Sequence, residues 1–182
     1  MNKKLKITGF IIVILLIVAA IFLYPLRYKG DDGIIIINNK DYSSLKDILE
    51  LDYFKNKVVL VDMWGTTCKP CIMEFEHAKD LKKRFNNKPV EFLYLCNVDM
   101  IIQETQWKKI IKSKNLKGYH IPIDTDLYMS IWNNDLGENV KNKYWIPHYF
   151  IVKDEKIIVY KAAHPSSKEK LYNQIDSVLN LK

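Results

Sequence analysis

The chain has 182 residues, 48% hydrophobic and 27% charged, with six Gly, six Pro and three Cys, a mixture that excludes collagen-like, low-complexity and disulfide-dense classes. The formal charge is +7, but three of the 28 basic residues (Lys3, Lys4 and Lys6) precede an apolar run and all 21 acidic residues follow it. The surplus left beyond the run is small and scattered, which argues against nucleic acid as a partner, since such surfaces cluster Lys and Arg on one face.

Ile7 to Leu26 is a run of 20 residues without a charged side chain. Twenty helical residues span ~30 Å, the thickness of a bilayer's hydrocarbon core. A cleaved signal peptide is the alternative, but its apolar region is only ~7–15 residues and ends at a small-x-small site. Ala19-Ala20 is followed instead by Ile21, Phe22, Leu23 and Tyr24. The run therefore reads as an uncleaved transmembrane helix. Lys3, Lys4 and Lys6 outweigh Arg27 and Lys29, which Asp31 and Asp32 oppose, so the positive-inside rule leaves residues 1–6 in the cytoplasm. Everything after the run is expected on the extracytoplasmic, periplasmic-type side of the inner or plasma membrane.

Residues 27–33 read as a polar linker, and 34–182 as one domain. Ile34 to Ile37 has strand length, and Ser43-Ser44 caps a short helix carrying Leu45, Ile48 and Leu49. Val58-Val59-Leu60-Val61 is continuously apolar and β-branched, as in a central strand buried on both faces. Ile72, Phe75, Ala78, Leu81 and Phe85 recur at helical spacing. Val90 to Val98 is a strand, Gln103 to Lys114 a helix with Trp107, Ile110 and Ile111 inward, and His120 to Asp124 a short strand. Tyr128, Ile131 and Trp132 suggest another helical turn or two. Tyr149 to Val152 and Lys156 to Tyr160 form a hairpin turning at Asp154-Glu155. Ser166-Ser167-Lys168-Glu169 reads as a capping box that opens a last helix with Leu171, Ile175, Val178 and Leu179 inward. Strands alternating with helices imply an α/β fold, a mixed sheet covered by helices on both faces.

The chemistry sits in Val58-Val59-Leu60-Val61-Asp62-Met63-Trp64-Gly65-Thr66-Thr67-Cys68-Lys69-Pro70-Cys71. A structural zinc site needs a second ligand pair, and Cys96 is alone with four scattered His. Haem attachment needs His after the second Cys, and position 72 is Ile. A redox dithiol between a buried strand and a helix remains. Cys68 at a helix amino terminus is favoured as a thiolate by unpaired N–H groups and the macrodipole, and Lys69 adds a cation nearby. Pro70 is tolerated in a first helical turn. Cys68 is then the nucleophile and Cys71, one turn in, the resolving thiol. Cys96, mid-strand, reads as a small buried apolar residue. His77 and His164 read as solvated.

These residues resemble the thioredoxin superfamily, most closely its membrane-anchored, extracytoplasmic TlpA/ResA branch. The resemblance covers about residues 33–180 and is strongest at 58–75 and at Trp145-Ile146-Pro147-His148-Tyr149-Phe150-Ile151-Val152. It implies a thioredoxin-like fold with an insertion at about 99–145. It also implies that Pro147 is a cis-proline facing the dithiol, that Ile146 offers backbone to an extended substrate, and that Trp64 borders the substrate site. Asp62 stands where thioredoxins keep a buried carboxylate that handles the second Cys's proton; a structural acid is the plainer reading. Thr67 replaces a common Trp, and Glu76 a common Pro that would kink the first helix. His148 is either a tuner of Cys68, with Lys69, or an ordinary surface His.

The resemblance implies a protein-disulfide reductase needing no cofactor or metal beyond the Cys68–Cys71 pair. Its partners would be exported disulfide-containing proteins such as apocytochrome c, and a membrane thiol-electron carrier of the CcdA/DsbD type. Two alternatives stand beside it: a copper-delivery module using Cys68, Cys71 and His148, and a thiol oxidant or isomerase. Topology is checked by adding protease outside an intact membrane. Residues 30–182 should be digested and the amino terminus protected, whereas a soluble mature chain starting near residue 21 would remove the anchor.

Overall fold

The computed structural model describes residues 27–29, 33–37 and 42–181. The apolar run expected to cross a membrane lies outside them, and among the described residues no helix is long and apolar enough to do so. The strands are β1 (Arg27–Lys29), β2 (Ile34–Ile37), β3 (Val58–Trp64), β4 (Val90–Asn97), β5 (Gly118–Ile123), β6 (His148–Lys153) and β7 (Lys156–Val159). The α-helices are α1 (Leu45–Leu49), α2 (Lys69–Glu74), α3 (Ala78–Phe85), α4 (Ile101–Ser113), α5 (Thr125–Ser130) and α6 (Glu169–Leu179). The strands form one sheet in the order β1-β2-β5-β4-β3-β6-β7. β2, β5, β4 and β3 run parallel, whereas β1, β6 and β7 are antiparallel to their neighbours.

Every residue of β3 is buried, as its unbroken apolar pattern requires of a strand covered on both faces. Alternation then sorts the core. Val58, Leu60 and Trp64 join one cluster, with Phe75, Leu81 and Phe85 from the helix after the dithiol, Trp107 and Ile111 from α4, and Leu171 and Ile175 from α6. Val59, Val61 and Met63 join the opposite cluster, covered by Leu45 and Ile48 of α1 and by Leu127, Ile131 and Trp132 of the insertion.

Local chemistry accounts for the boundaries. Ser44 caps α1 by accepting from Asp47 N–H at 3.2 Å, while the Asp47 carboxylate accepts from Ser44 N–H at 3.0 Å, a reciprocal box. Asp154 and Glu155 both adopt positive φ in the β6–β7 turn, which the twist of a two-residue hairpin demands. Gly118 has φ +125°, and a Cβ there would lie 2.7 Å from the Phe92 carbonyl oxygen and 3.0 Å from Lys82 Nζ. Only glycine fits.

Several expectations need correction. Arg27–Lys29, read as linker, pairs as a strand with Ile34–Ile37. α4 begins at Ile101, because Gln103 accepts from the Asp99 and Met100 N–H groups and so caps the helix from within. The helical turns expected at Tyr128, Ile131 and Trp132 are present, as α5 and a widened turn at Ile131–Asp135. The single helix expected after Cys71 is interrupted by a 3₁₀ turn at Phe75–His77, without any proline. No capping box opens α6: Ser166 and Ser167 lie in a 3₁₀ turn, and Lys168 at the cap has φ 40° and no side-chain bond. Ser166 bonds Glu74 instead, through its N–H at 2.9 Å and its hydroxyl at 2.8 Å.

Ile175, fully buried, helps clamp α6 onto the face of the sheet that carries the dithiol. Ile175→Ala should lower unfolding free energy by about 2–5 kcal/mol. Urea denaturation should show a lower midpoint with an unchanged slope.

Candidate redox site

β3 ends at Trp64 and α2 begins at Lys69, so Cys68 is the helix N-cap, and its Sγ accepts from Cys71 N–H at 3.2 Å. Cys68 and Cys71 are joined by a disulfide with their Cα atoms 5.3 Å apart. Cys68 is half-buried, whereas Cys71 is fully buried beneath it. Lys69 and Pro70 are exposed on the first turn. Burial assigns the roles: an incoming sulfur can reach Cys68, and Cys71 can act only from behind.

The Ile146–Pro147 peptide bond is cis. Ile146 Cδ1 lies 3.1 Å from where a Gly65 Cβ would be, so the proline loop packs directly on the loop leading to Cys68. Gly65 permits that approach. The structure thus brings Cys68, Cys71, Ile146 and Pro147 to one end of the sheet, the carboxyl ends of the parallel strands, where α/β folds place their sites.

Asp62 is buried on the same side of β3 as Trp64 and Leu60. Desolvation pushes its carboxyl well above the ordinary range; Tyr149 and Lys82 oppose that shift, and Glu74 reinforces it. The Tyr149 hydroxyl is its polar neighbour, but Asp62 Oδ1 has no well-formed hydrogen bond. A small cavity beside it, with room for about one water molecule, is lined by Asp62, Glu74, Tyr94, Tyr149, Phe75 and Pro165.

Two expected residues fall elsewhere. Trp64 is fully buried, edge-on to Phe75 with centroids 5.0 Å apart; as a β3 residue on the helix-covered face it cannot border a substrate. His148 is neither a surface His nor a neighbour of the dithiol. Its strand position turns it to the opposite face, 4.7 Å from the Trp132 ring, with Nε2 2.9 Å from the Tyr160 carbonyl oxygen. Burial lowers its pKa to about 4, so it is neutral. The copper reading loses its third ligand, and among the described residues no group of three or more His, Cys, Asp or Glu could hold a metal ion. His164 is exposed, and His77 only partly so. Cys96 is buried, and desolvation, with Asp62 second, raises its thiol pKa.

Three polar residues escaped the sequence reading. Glu74, three residues after Cys71 and hence on the same helix face, ties α2 to the Pro165–Ser167 turn and lies 3.5 Å from His164 Nδ1. Lys82 sends its ammonium inward over the Phe92 and Tyr94 rings, at 4.4 and 5.0 Å from their centroids. Desolvation lowers its pKa to about 7. His120 stacks on Tyr94 at 4.7 Å, and burial lowers its pKa to about 3. The signal for Lys82 was its place beside Leu81 and four residues after Ala78, which sets it at the border of the apolar stripe.

This fold, with a disulfide where its central strand hands over to a helix, defines a thioredoxin-like protein. The chain belongs to the Redoxin family, whose signature matches residues 38–179. It is 32% identical over 113 residues to the thiol-disulfide oxidoreductase ResA of Bacillus thuringiensis subsp. konkukian, covering 60% of this chain and 57% of that protein. The chain thus spans little more than half of that relative's length. With a ResA of Bacillus cereus it shares 27% identity over 130 residues, 71% of this chain and 68% of the relative. A solution structure of a thiol:disulfide interchange protein from Bacteroides sp. superposes with TM-score 0.54 at 22% identity, covering 75% of this chain and 78% of that one. The thioredoxin domain of a thiol-disulfide oxidoreductase from Bacteroides vulgatus gives 0.53 at 22%, covering 71% and 84%. These two likenesses establish the fold.

The sign of the Asp62 shift makes a prediction. Above the usual carboxylate range the folded protein keeps a proton on Asp62 that the unfolded chain has released, so wild-type stability falls as pH rises through that window. Asp62→Asn removes this term. Its stability should match wild type at or below about pH 4 and exceed it increasingly as pH rises above the unfolded carboxyl's range, as measured by urea unfolding. If Asp62 also takes the Cys71 proton, the same variant should resolve mixed disulfides ~10²–10⁴-fold more slowly, with attack by Cys68 changed less. Stopped-flow kinetics separates the two steps; a purely structural acid would alter stability alone.

Proposed function

We propose that this protein is a membrane-anchored, extracytoplasmic thiol–disulfide oxidoreductase that reduces disulfides of exported proteins. The observation that carries the reading is a half-buried Cys68 at a helix amino terminus, disulfide-linked to a buried Cys71, with a raised-pKa carboxyl on the same core face. In the reduced state the Cys68 thiolate attacks a substrate disulfide, forming one S–S bond and expelling one substrate thiolate, which takes up a proton. Cys71 gives its proton to Asp62 and attacks Cys68 Sγ. The Cys68–substrate bond breaks, the second substrate thiolate leaves and takes the proton from Asp62, and the Cys68–Cys71 disulfide remains. Two electrons have passed to the substrate.

Return to the dithiol needs two electrons and two protons from outside. A membrane thiol carrier of the CcdA/DsbD type fits that requirement, and apocytochrome c is one candidate substrate. The run at 7–26 with its basic flank supports the anchor. The direction of transfer rests on Asp62. A group that can hold the Cys71 proton favours resolution toward the disulfide, which is the reductase half-reaction.

Cys68→Ser should abolish reduction of insulin disulfides, Cys71→Ser should trap substrates on Cys68, and Cys96→Ser should do neither. The reduction potential decides direction: a reductase should lie near thioredoxin's roughly −270 mV, and an oxidant near DsbA's roughly −120 mV. A value at the second figure, or trapping by Cys96→Ser, would overturn the assignment.

A further inference from the structure

We infer that the end of the sheet carrying the dithiol rests against the lipid bilayer, with Tyr144, Trp145 and Met100-Ile101-Ile102 seated in its interfacial layer. The inference rests on the membrane-anchor reading above and adds an orientation to it.

The strand directions supply the first argument. β1 is antiparallel to β2 with Arg27 opposite Ile37, so the chain enters β1 at the end of the sheet where β2 finishes. β2, β5, β4 and β3 are parallel, so Cys68, just beyond β3, lies at that same end. The apolar run closes at Leu26 and β1 begins at Arg27. One residue reaches at most ~3.6 Å. With the run inserted in a membrane, this end of the sheet has no slack to stand away from it. Four strand spacings separate β1 from β3, so the dithiol lies about 19 Å sideways from the point of entry.

The second argument is what that end exposes. β4 and β6 flank β3. After β4, Ile101 and Ile102 are 85% and 75% exposed beside an exposed Met100, and before β6 Trp145 is 72% exposed beside Tyr144. The other three tryptophans, Trp64, Trp107 and Trp132, are completely buried. Large apolar side chains left in water on both sides of a reactive disulfide call for a cover, and Trp and Tyr are the residues suited to a membrane interface. The two acids beside the Met100–Ile102 segment are engaged, Asp99 by Thr125 N–H at 2.9 Å and by its hydroxyl, and Glu104 by Lys108 at 2.7 Å. A bilayer is favoured over a polypeptide or a second copy because the tether fixes its distance. The consequence is that Cys68 meets thiols presented at the membrane surface.

The test uses the full chain with vesicles of phosphatidylcholine and phosphatidylglycerol, with and without bromine on the acyl chains. The protein should float with the vesicles, and brominated lipid should quench its tryptophan fluorescence. Trp145→Phe should remove that quenching, and Ile101→Glu combined with Ile102→Glu should cut it by about half or more without loss of flotation. Flotation without quenching keeps the anchor and overturns the orientation. Failure to float overturns both. Quenching that persists in Trp145→Phe, or concentration-dependent self-association without quenching, also overturns the proposal.

Discussion

A strand with no exposed side chain has to be covered from both sides, and β3 is such a strand. Its even-numbered residues commit α2, α3, α4 and α6 to one face, and its odd-numbered residues commit α1, α5 and the turn after it to the other. With β4 and β6 bonded along both edges, β3 cannot tilt or slip. Its end at Trp64 therefore fixes where the chain turns and where Cys68 caps the next helix. A helix N-cap is by nature half outside the helix, with free N–H groups pointing at it. The accessible sulfur is thus placed by the most enclosed strand in the sheet.

The same coverage makes the compartment behind the dithiol hostile to charge. Within it burial raises the Asp62 carboxyl and the Cys96 thiol and lowers Lys82 to about 7 and His120 to about 3. Acids and bases move in opposite directions, yet each moves toward its neutral form, the mark of desolvation rather than of one dominant ion. A reduced Cys71 enters this environment, while Cys68 faces the helix terminus and solvent. Burial sets the two sulfurs apart, and Asp62 on the same face is a second group there that can hold a proton.

Reading from sequence succeeded where a pattern is local. The unbroken Val58–Val61 run, the Ser43-Ser44 cap, the Asp154-Glu155 turn and the Cys68–Cys71 spacing each contain their own evidence, and each reappears in the fold. The resemblance to known thioredoxins supplied the cis bond at Pro147. Readings that required knowing which face a residue takes failed more often. His148 is one position from Tyr149, and that single step of strand alternation sends it to the far side of the sheet. Trp64, which the resemblance put beside the substrate, is turned into the core by strand alternation. Ser166 had the right residues for a cap, and Glu74, distant in sequence, outcompeted the backbone for its N–H and hydroxyl. Lys82 was passed over because its place at the border of the apolar stripe is a faint signal in a helix with several lysines. Arg27–Lys29 looked like linker because three polar-flanked residues carry no alternation to read.

Cys96 sits at zero exposure, with a thiol that resists ionisation. In the folded protein it is therefore silent to alkylating reagents at neutral pH, whatever the redox state of the other pair. Unfolding releases it at full reactivity. Each molecule consequently carries an internal thiol standard: after denaturation Cys96 always labels, whereas Cys68 and Cys71 label only where their disulfide has been reduced. The fraction of active-site disulfide in a whole-cell sample can be read from that ratio on a single band, without knowing how much protein was loaded.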